Sequence, residues 1–297
     1  MTAAIRIQNV SKSFKAGHPV LKNISLEIGN GEMVALIGAS GSGKSTLVRS
    51  IAGLIRIDAK SDGKDSEIVI LGEPMQQQGR ITRSAKTLRS RVGIIFQQFN
   101  LVPRLSVLTN VCLGFLGHMP AWRGTLGRFS EIEKKRAMHA LERVGIADQA
   151  LKRGSQLSGG QQQRAAIART LMQGSEILIA DEPIASLDPS SARRVMDILA
   201  GLNRQDGHTV FVSLHQVEYA LNYCPRTIAL RQGEVVYDGP SSALTPSFLG
   251  ELYGAESEKL FLPGMEETAA QKTNDAPRRP EATYSNGTSL VPAATGA

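Results

Sequence analysis

Gly38-Ala39-Ser40-Gly41-Ser42-Gly43-Lys44-Ser45, followed at once by Thr46, reads G-x-x-x-x-G-K-S. This is the phosphate-cradling P-loop pattern. The apolar run Met33-Val34-Ala35-Leu36-Ile37 leads into it and suits a buried strand. The segment from Thr46 to Ala52 suits a helix, stopped by Gly53. Strand, glycine-rich turn and helix are the context the motif needs. Its glycines let the backbone wrap tightly and aim N–H groups at phosphate oxygens. The helix start adds its positive dipole end. Gly38, Ala39, Ser40, Gly41, Ser42, Gly43 and Thr46 are therefore expected around a nucleotide's phosphates. Lys44 would reach the β- and γ-phosphates, and Ser45 would offer its hydroxyl to Mg²⁺. A glycine-rich turn with a chance Lys-Ser is the alternative, and the flanking strand and helix argue against it.

The 297 residues allow about two domains. Apolar residues make up 41%, enough for an ordinary packed core. Lys and Arg outnumber Asp and Glu by 34 to 27, a net charge of +7. The basic residues are spread out, so a soluble surface explains them better than a nucleic-acid stripe. Cys112 and Cys224 belong to no C-x-x-C or Cys/His cluster, which argues against zinc and a disulfide framework. The N-terminus lacks the apolar core of a signal peptide. No run approaches the ~20 apolar residues that cross a bilayer. Membrane association is therefore expected to come through a partner or a surface contact.

Ile5–Val10 and Ile24–Ile28 alternate apolar and polar residues and read as half-exposed strands, with Phe14 in the polar stretch between them. Residues 58–67 read as a surface loop, Ile68–Leu71 as a strand ended by Gly72-Glu73-Pro74, and Val92–Phe96 as a further strand. From about 105 to 172 the pattern turns helical. Ile132, Arg136, Ala137, Ala140, Leu141 and Val144 form a stripe of period 3.6. Residues 120–130 read as a basic loop holding the sole Trp, Trp122. Ile177–Ala180 suits a central parallel strand. A helix over 190–203, a strand over Thr209–Leu214 and a hairpin turning at Gln232-Gly233 follow. After about 263 the composition shifts to Ala, Pro, Thr, Asn and Gly, which predicts disorder.

Asp181 closes the run Ile177–Ala180, the Walker-B arrangement, and would hold Mg²⁺ at the rim of the sheet. Glu182, one residue on, would polarise the attacking water as a general base. Leu157-Ser158-Gly159-Gly160-Gln161 opens a second anion-receptive helix. One P-loop already serves a bound triphosphate. A second phosphate grip makes sense if it faces the nucleotide held by another copy.

Leu-Ser-Gly-Gly-Gln between a P-loop and a Walker B resembles the signature of ATP-binding cassette (ABC) ATPases. The resemblance covers residues 1–255. It implies an α/β fold, a P-loop NTPase (RecA-like) core with an antiparallel β-subdomain and an inserted α-helical subdomain at about 98–172. Residues 256–297 would be a C-terminal extension. It further implies that two cassettes close head-to-tail over two ATPs, with Ser158, Gly159, Gly160 and Gln161 acting in trans. Gln97 matches the Q-loop glutamine, which contacts Mg²⁺ and the attacking water. Ser186-Leu187-Asp188 matches the dimer's D-loop, and His215 the histidine at the γ-phosphate. Phe14 holds the place of the aromatic that stacks on adenine, with a core phenylalanine as the alternative.

One cassette with neither a membrane span nor heptad arms resembles the separate ATPase subunit of an importer. Phe96–Val102, Ala180–Pro189 and Leu214–Ala220 together resemble the phosphonate-importer ATPase subunits, and the Trp122-Arg123 loop fits them. Ile184 stands where many relatives have Thr or Phe, and the tail is longer than the subfamily pattern. The resemblance implies ATP and Mg²⁺ as cofactors, and a homodimer on transmembrane permease subunits, served indirectly by a periplasmic or lipoprotein phosphonate-binding protein. No nucleic acid is expected. It places the chain at the cytoplasmic face of the bacterial inner membrane. An importer ATPase for phosphate, phosphite or an amino acid, or a soluble ABC ATPase in phosphonate metabolism or on nucleic acid, are the alternatives.

Overall fold

The structure, a computed structural model, describes residues 3–15 and 17–254. The expected extension at 256–297 lies outside the described residues. Two sheets carry the fold. The larger has six strands in the order Glu234–Pro240, Arg226–Arg231, Met33–Ile37, Thr209–Ser213, Ile177–Asp181, Val92–Phe96. The five strands from Arg226–Arg231 to Val92–Phe96 are parallel, and Glu234–Pro240 joins as an antiparallel edge through the Gln232-Gly233 turn. Every residue of Met33–Ile37, Ile177–Asp181 and Thr209–Ser213 is buried. Such strands have both faces covered, which is why they read as continuous apolar runs.

The second sheet is antiparallel, in the order His18–Gly29, Ala3–Lys15, Glu67–Ile70, Glu73–Gln77, Arg80–Ile81. Its alternating inner residues, among them Ile5, Ile7, Leu26, Ile28, Ile68 and Ile70, share one core with Val34, Leu36, Ile177, Ile179 and Phe211. Leu47 and Ile51 of helix Lys44–Ile51 fill the same core. That helix is therefore fixed against the sheet directly behind the phosphate loop. The segment between Val92–Phe96 and Ile177–Asp181 adds no strand to either sheet. It holds helices Val107–Cys112, Ala121–Thr125, Glu131–Arg143 and Gly159–Gln173.

Several local expectations are corrected. Phe14 does not sit between two strands: the first strand runs on through it to Lys15. Residues 58–67 are not all loop, because Lys60–Ser61 and Lys64–Asp65 pair as a short hairpin. The strand Glu67–Ile70 does end before Gly72, but Glu73-Pro74 then opens a further strand, Glu73–Gln77. The basic loop contains the helical turn Ala121–Thr125. Ile132 is 73% exposed, whereas Ala137, Ala140, Leu141 and Val144 are buried. Glu133 takes the inward position instead. Its carboxylate accepts from Ser130 N at 2.7 Å in a capping box and from Arg123 at 2.8 Å. These bonds satisfy the buried charge, so the apolar stripe starts one turn late.

Candidate active site

Sheet register assembles the site. Asp181 pairs with both Phe96 and Ser213, and Ser213 pairs with Leu36. Gln97, Gly38, Glu182 and His215 each follow one of these four strands within two residues. All four thus emerge at the carboxyl ends of adjacent parallel strands, where open α/β sheets bind ligands.

Between them lies a cleft of about 320 Å³ lined by the P-loop from Ser40 to Thr46, Glu182, His215 and Val20. Larger open grooves of about 810 and 900 Å³ occur elsewhere, but no residue of the P-loop lines either of them. Gly38 has φ 148°, and a Cβ there would lie 2.2 Å from the Leu230 carbonyl oxygen. Only glycine fits where the loop leaves the sheet. Gly233 N donates to Ser42 O at 3.1 Å, which pins the loop to the neighbouring hairpin. Lys44 is buried, and its Nζ donates to Gly38 O at 2.7 Å and Ala39 O at 3.2 Å. Ser42 Oγ is buried and has no hydrogen-bond partner among the described residues. An orphan hydroxyl beside a lysine and helix-start amides suits phosphate oxygens.

Asp181 is buried, and its Oδ1 accepts from Ser45 Oγ at 3.0 Å and Ser213 Oγ at 3.2 Å. Arg49 approaches its other oxygen at 3.5 Å. The Ser45–Asp181 pair offers only hard oxygen donors. Mg²⁺ prefers such donors and takes its remaining ligands from water and substrate phosphates. The residues therefore fit that ion. Glu182 has φ 52°, a left-handed conformation uncommon outside glycine, and its N–H donates to Ser213 Oγ at 2.9 Å. The bend turns its carboxylate into the cleft, where Oε1 lies 2.8 Å from His215 Nε2. The His215 hydrogen bond holds the Glu182 carboxyl below its usual range against the opposing effect of burial, with Lys44 adding a favourable charge.

The structure thus brings Lys44, Ser45, Asp181, Glu182 and His215 together in one chain. Gln97 is exposed one residue past its strand, next to Phe96, which pairs with Asp181. Phe14 is 61% exposed, which excludes the core alternative, and Lys12 Nζ lies 5.4 Å from its ring centroid. Ser158–Gln161 are absent from the cleft lining. Ser158 caps its own helix, and Gln161 Oε1 accepts from Ser158 N at 2.9 Å. Ser186-Leu187-Asp188 lies alongside. A Cβ at Gly159 would meet Leu187 at 3.4 Å, and Asp188 caps helix Pro189–Asp206 by accepting from Ser190 N and Ser191 N. Those hydroxyl and amide bonds hold the Asp188 carboxyl far below its usual range.

Sequence reasoning missed Ser213, Val20, Gln163 and Tyr253. Ser213 braces the Asp181 carboxylate and the Glu182 backbone N–H, but only strand register reveals that. Val20 borders the phosphate cleft from the antiparallel sheet. Gln163, fully buried, donates to Phe96 O at 3.5 Å and so ties the helix after Ser158 to the root of Gln97. Tyr253, from the last described helix, reaches Gly38 N at 3.3 Å.

The family model for "ABC transporter" matches residues 21–185. The chain belongs to the ABC transporter family. Among curated members it is 58% identical over 262 residues to the phosphonates import ATP-binding protein PhnC of Stutzerimonas stutzeri, covering 88% of this chain and 94% of that protein. It is 59% identical to PhnC 1 of Pseudomonas aeruginosa strain UCBPP-PA14, covering 88% and 93%. Among solved structures, the dimeric post-hydrolysis state of the ATP-binding cassette MJ0796, bound to ADP and Pi, matches with 34% identity. Its TM-score is 0.68, covering 81% of this chain and 100% of that one. This ABC family member therefore carries the P-loop ATPase fold expected from its motifs. No described helix is long and apolar enough to cross a membrane.

Proposed function

We propose that this chain is the ATP-hydrolysing subunit of an ABC importer for phosphonates. The observation that carries the reading is the 58% identity to a phosphonates import ATP-binding protein across nearly the whole of both chains. The cleft supplies the chemistry. Lys44 and the loop amides hold the β- and γ-phosphates of ATP. Ser45, Asp181 and Gln97 would hold Mg²⁺, which would supply charge neutralisation at those phosphates. Glu182 is ionised and orients a water toward the γ-phosphorus. As the new P–O bond forms, the bond to the β-phosphate oxygen breaks and the water's proton passes to Glu182. His215 holds Glu182 in place and contacts the γ-phosphate. Ser158, Gly159, Gly160 and Gln161 of a second copy complete the charge-stabilising shell. The D-loop residues Ser186, Leu187 and Asp188 meet their counterparts across that dimer, and Phe14 stacks on the adenine.

Residues 1–255 form the cassette in this reading. It docks on permease subunits at the cytoplasmic face of the membrane, through a groove beside Gln97 and the helical segment. The test is reconstitution with candidate permease subunits and a binding protein. ATP turnover should rise when the binding protein carries a phosphonate. Stimulation by phosphate, phosphite or an amino acid instead removes the substrate assignment. Stimulation by DNA or ribosomes removes the transporter class.

A further inference from the structure

The last described helix, Pro246–Tyr253, lies beyond the matched family region yet ends inside the site. Thr245 caps its start, and Leu249, Leu252 and Tyr253 are all buried. Its terminal side chain touches two separate functional segments. Gly38 N donates to the Tyr253 hydroxyl at 3.3 Å, and that hydroxyl donates to His215 O at 3.5 Å. Gly38 O in turn receives Lys44 Nζ at 2.7 Å, while His215 Nε2 meets Glu182 at 2.8 Å. One phenol therefore spans the root of the phosphate grip and the backbone of the residue that orients the base.

We propose that Tyr253 is a positioning residue for hydrolysis, setting the distance of His215, and through it Glu182, from the phosphate loop. The inference rests on the hydrolytic roles proposed above for His215 and Glu182. The two ends of the bridge are not equally supported. The loop is also held by the Gly233–Ser42 bond and by Lys44 on Gly38 O and Ala39 O. The His215 segment has its Leu214 N bond to Leu36 O at 3.0 Å, and then a loop whose Gln216 gives the next helix no side-chain cap. Removing the phenol oxygen should therefore let His215 drift while the loop keeps its grip on ADP.

Tyr253→Phe keeps the buried ring and deletes only the hydroxyl. In the full-length chain, kcat for basal ATP hydrolysis should fall about threefold to tenfold, as for one lost hydrogen bond, with ADP affinity held within about twofold. The thermal midpoint should fall by no more than about 4 °C, the cost of one hydrogen bond in a chain of this size. A wild-type kcat would overturn the proposal. Parallel losses of ADP affinity and thermal midpoint beyond these limits would also overturn it, by making Tyr253 a structural prop of the loop. Basal turnover needs no phosphonate, so the result is independent of the import assay. Glu182→Gln, measured alongside, tests the hydrolytic reading by itself.

Discussion

Glu182 combines a bent backbone, a half-buried bond from its N–H to Ser213 and a charge fixed by His215. Replacing it with Gln keeps the shape and removes the base. Turnover should fall by about 10²–10⁴-fold, the usual range for general-base catalysis, while ATP still binds. Near-normal hydrolysis would take Glu182 out of that role. The same variant has a pH signature. The carboxyl's folded value is lowered, so the fold favours its ionised form. That stabilisation is fully present above the unfolded carboxyl's value of about 4.3 and is lost as pH falls through the lowered folded value. The wild-type advantage in thermal midpoint over Glu182→Gln should therefore be largest near neutrality and shrink at acid pH. Asp181 and Glu182 were legible in the sequence because an apolar run ending in acid is a local pattern. Ser213 and Tyr253 were not, because their roles exist only once strands pair and a distant helix docks.

At the level of elements, the helix Gly159–Gln173 and the helix Pro189–Asp206 touch where both begin. A Cβ on Gly160 would lie 2.5 Å from Ser191 Oγ and 2.7 Å from Ser191 Cβ. Both atoms belong to a residue fixed by Asp188, so the helices cannot easily part. Gly160→Ala should lower stability by about 1–3 kcal/mol as an overpacking change, and lower turnover by displacing Ser158. Ser191→Gly removes both clashing atoms, and the double variant should recover most of the thermal midpoint. A Gly160→Ala protein as stable as wild type would show that this contact yields freely. The strong elements were readable from sequence because their patterns are long or fully apolar. Misreadings fell where partners override pattern. Ile132 was ceded to solvent when Arg123 and Ser130 drew Glu133 inward, and the first strand outran its apolar residues by pairing Ser13 with Pro19 and Lys15 with His18. Short strands such as Lys60–Ser61 carry too few residues for any period to show.

Over the whole molecule, the decisive fact is that the cleft of one chain is lined by its own Lys44, Ser45, Glu182 and His215 but not by Ser158–Gln161. If a second copy supplies them, each site belongs to two chains, and defects should complement only in one arrangement. Lys44→Ala removes the phosphate grip of the protomer carrying it. Ser158→Arg places a bulky cation where the partner's γ-phosphate would sit, leaving that protomer's own P-loop intact. Each variant alone should be silent, because both sites of its dimer are broken. A mixed dimer pairs the intact P-loop of the Ser158→Arg protomer with the intact Ser158 of its partner, giving one whole site and one doubly broken site. With random pairing, half the dimers are mixed and half of their sites are whole, so turnover should return to about a quarter of wild type when the sites act independently. The measurement is ATPase activity of co-refolded or co-expressed variants against each parent. A mixture as inactive as its parents counts against the shared site. Activity in Ser158→Arg alone would show that the Leu157–Gln161 stretch serves only its own helix, where its capping box already holds Ser158 and Gln161 together.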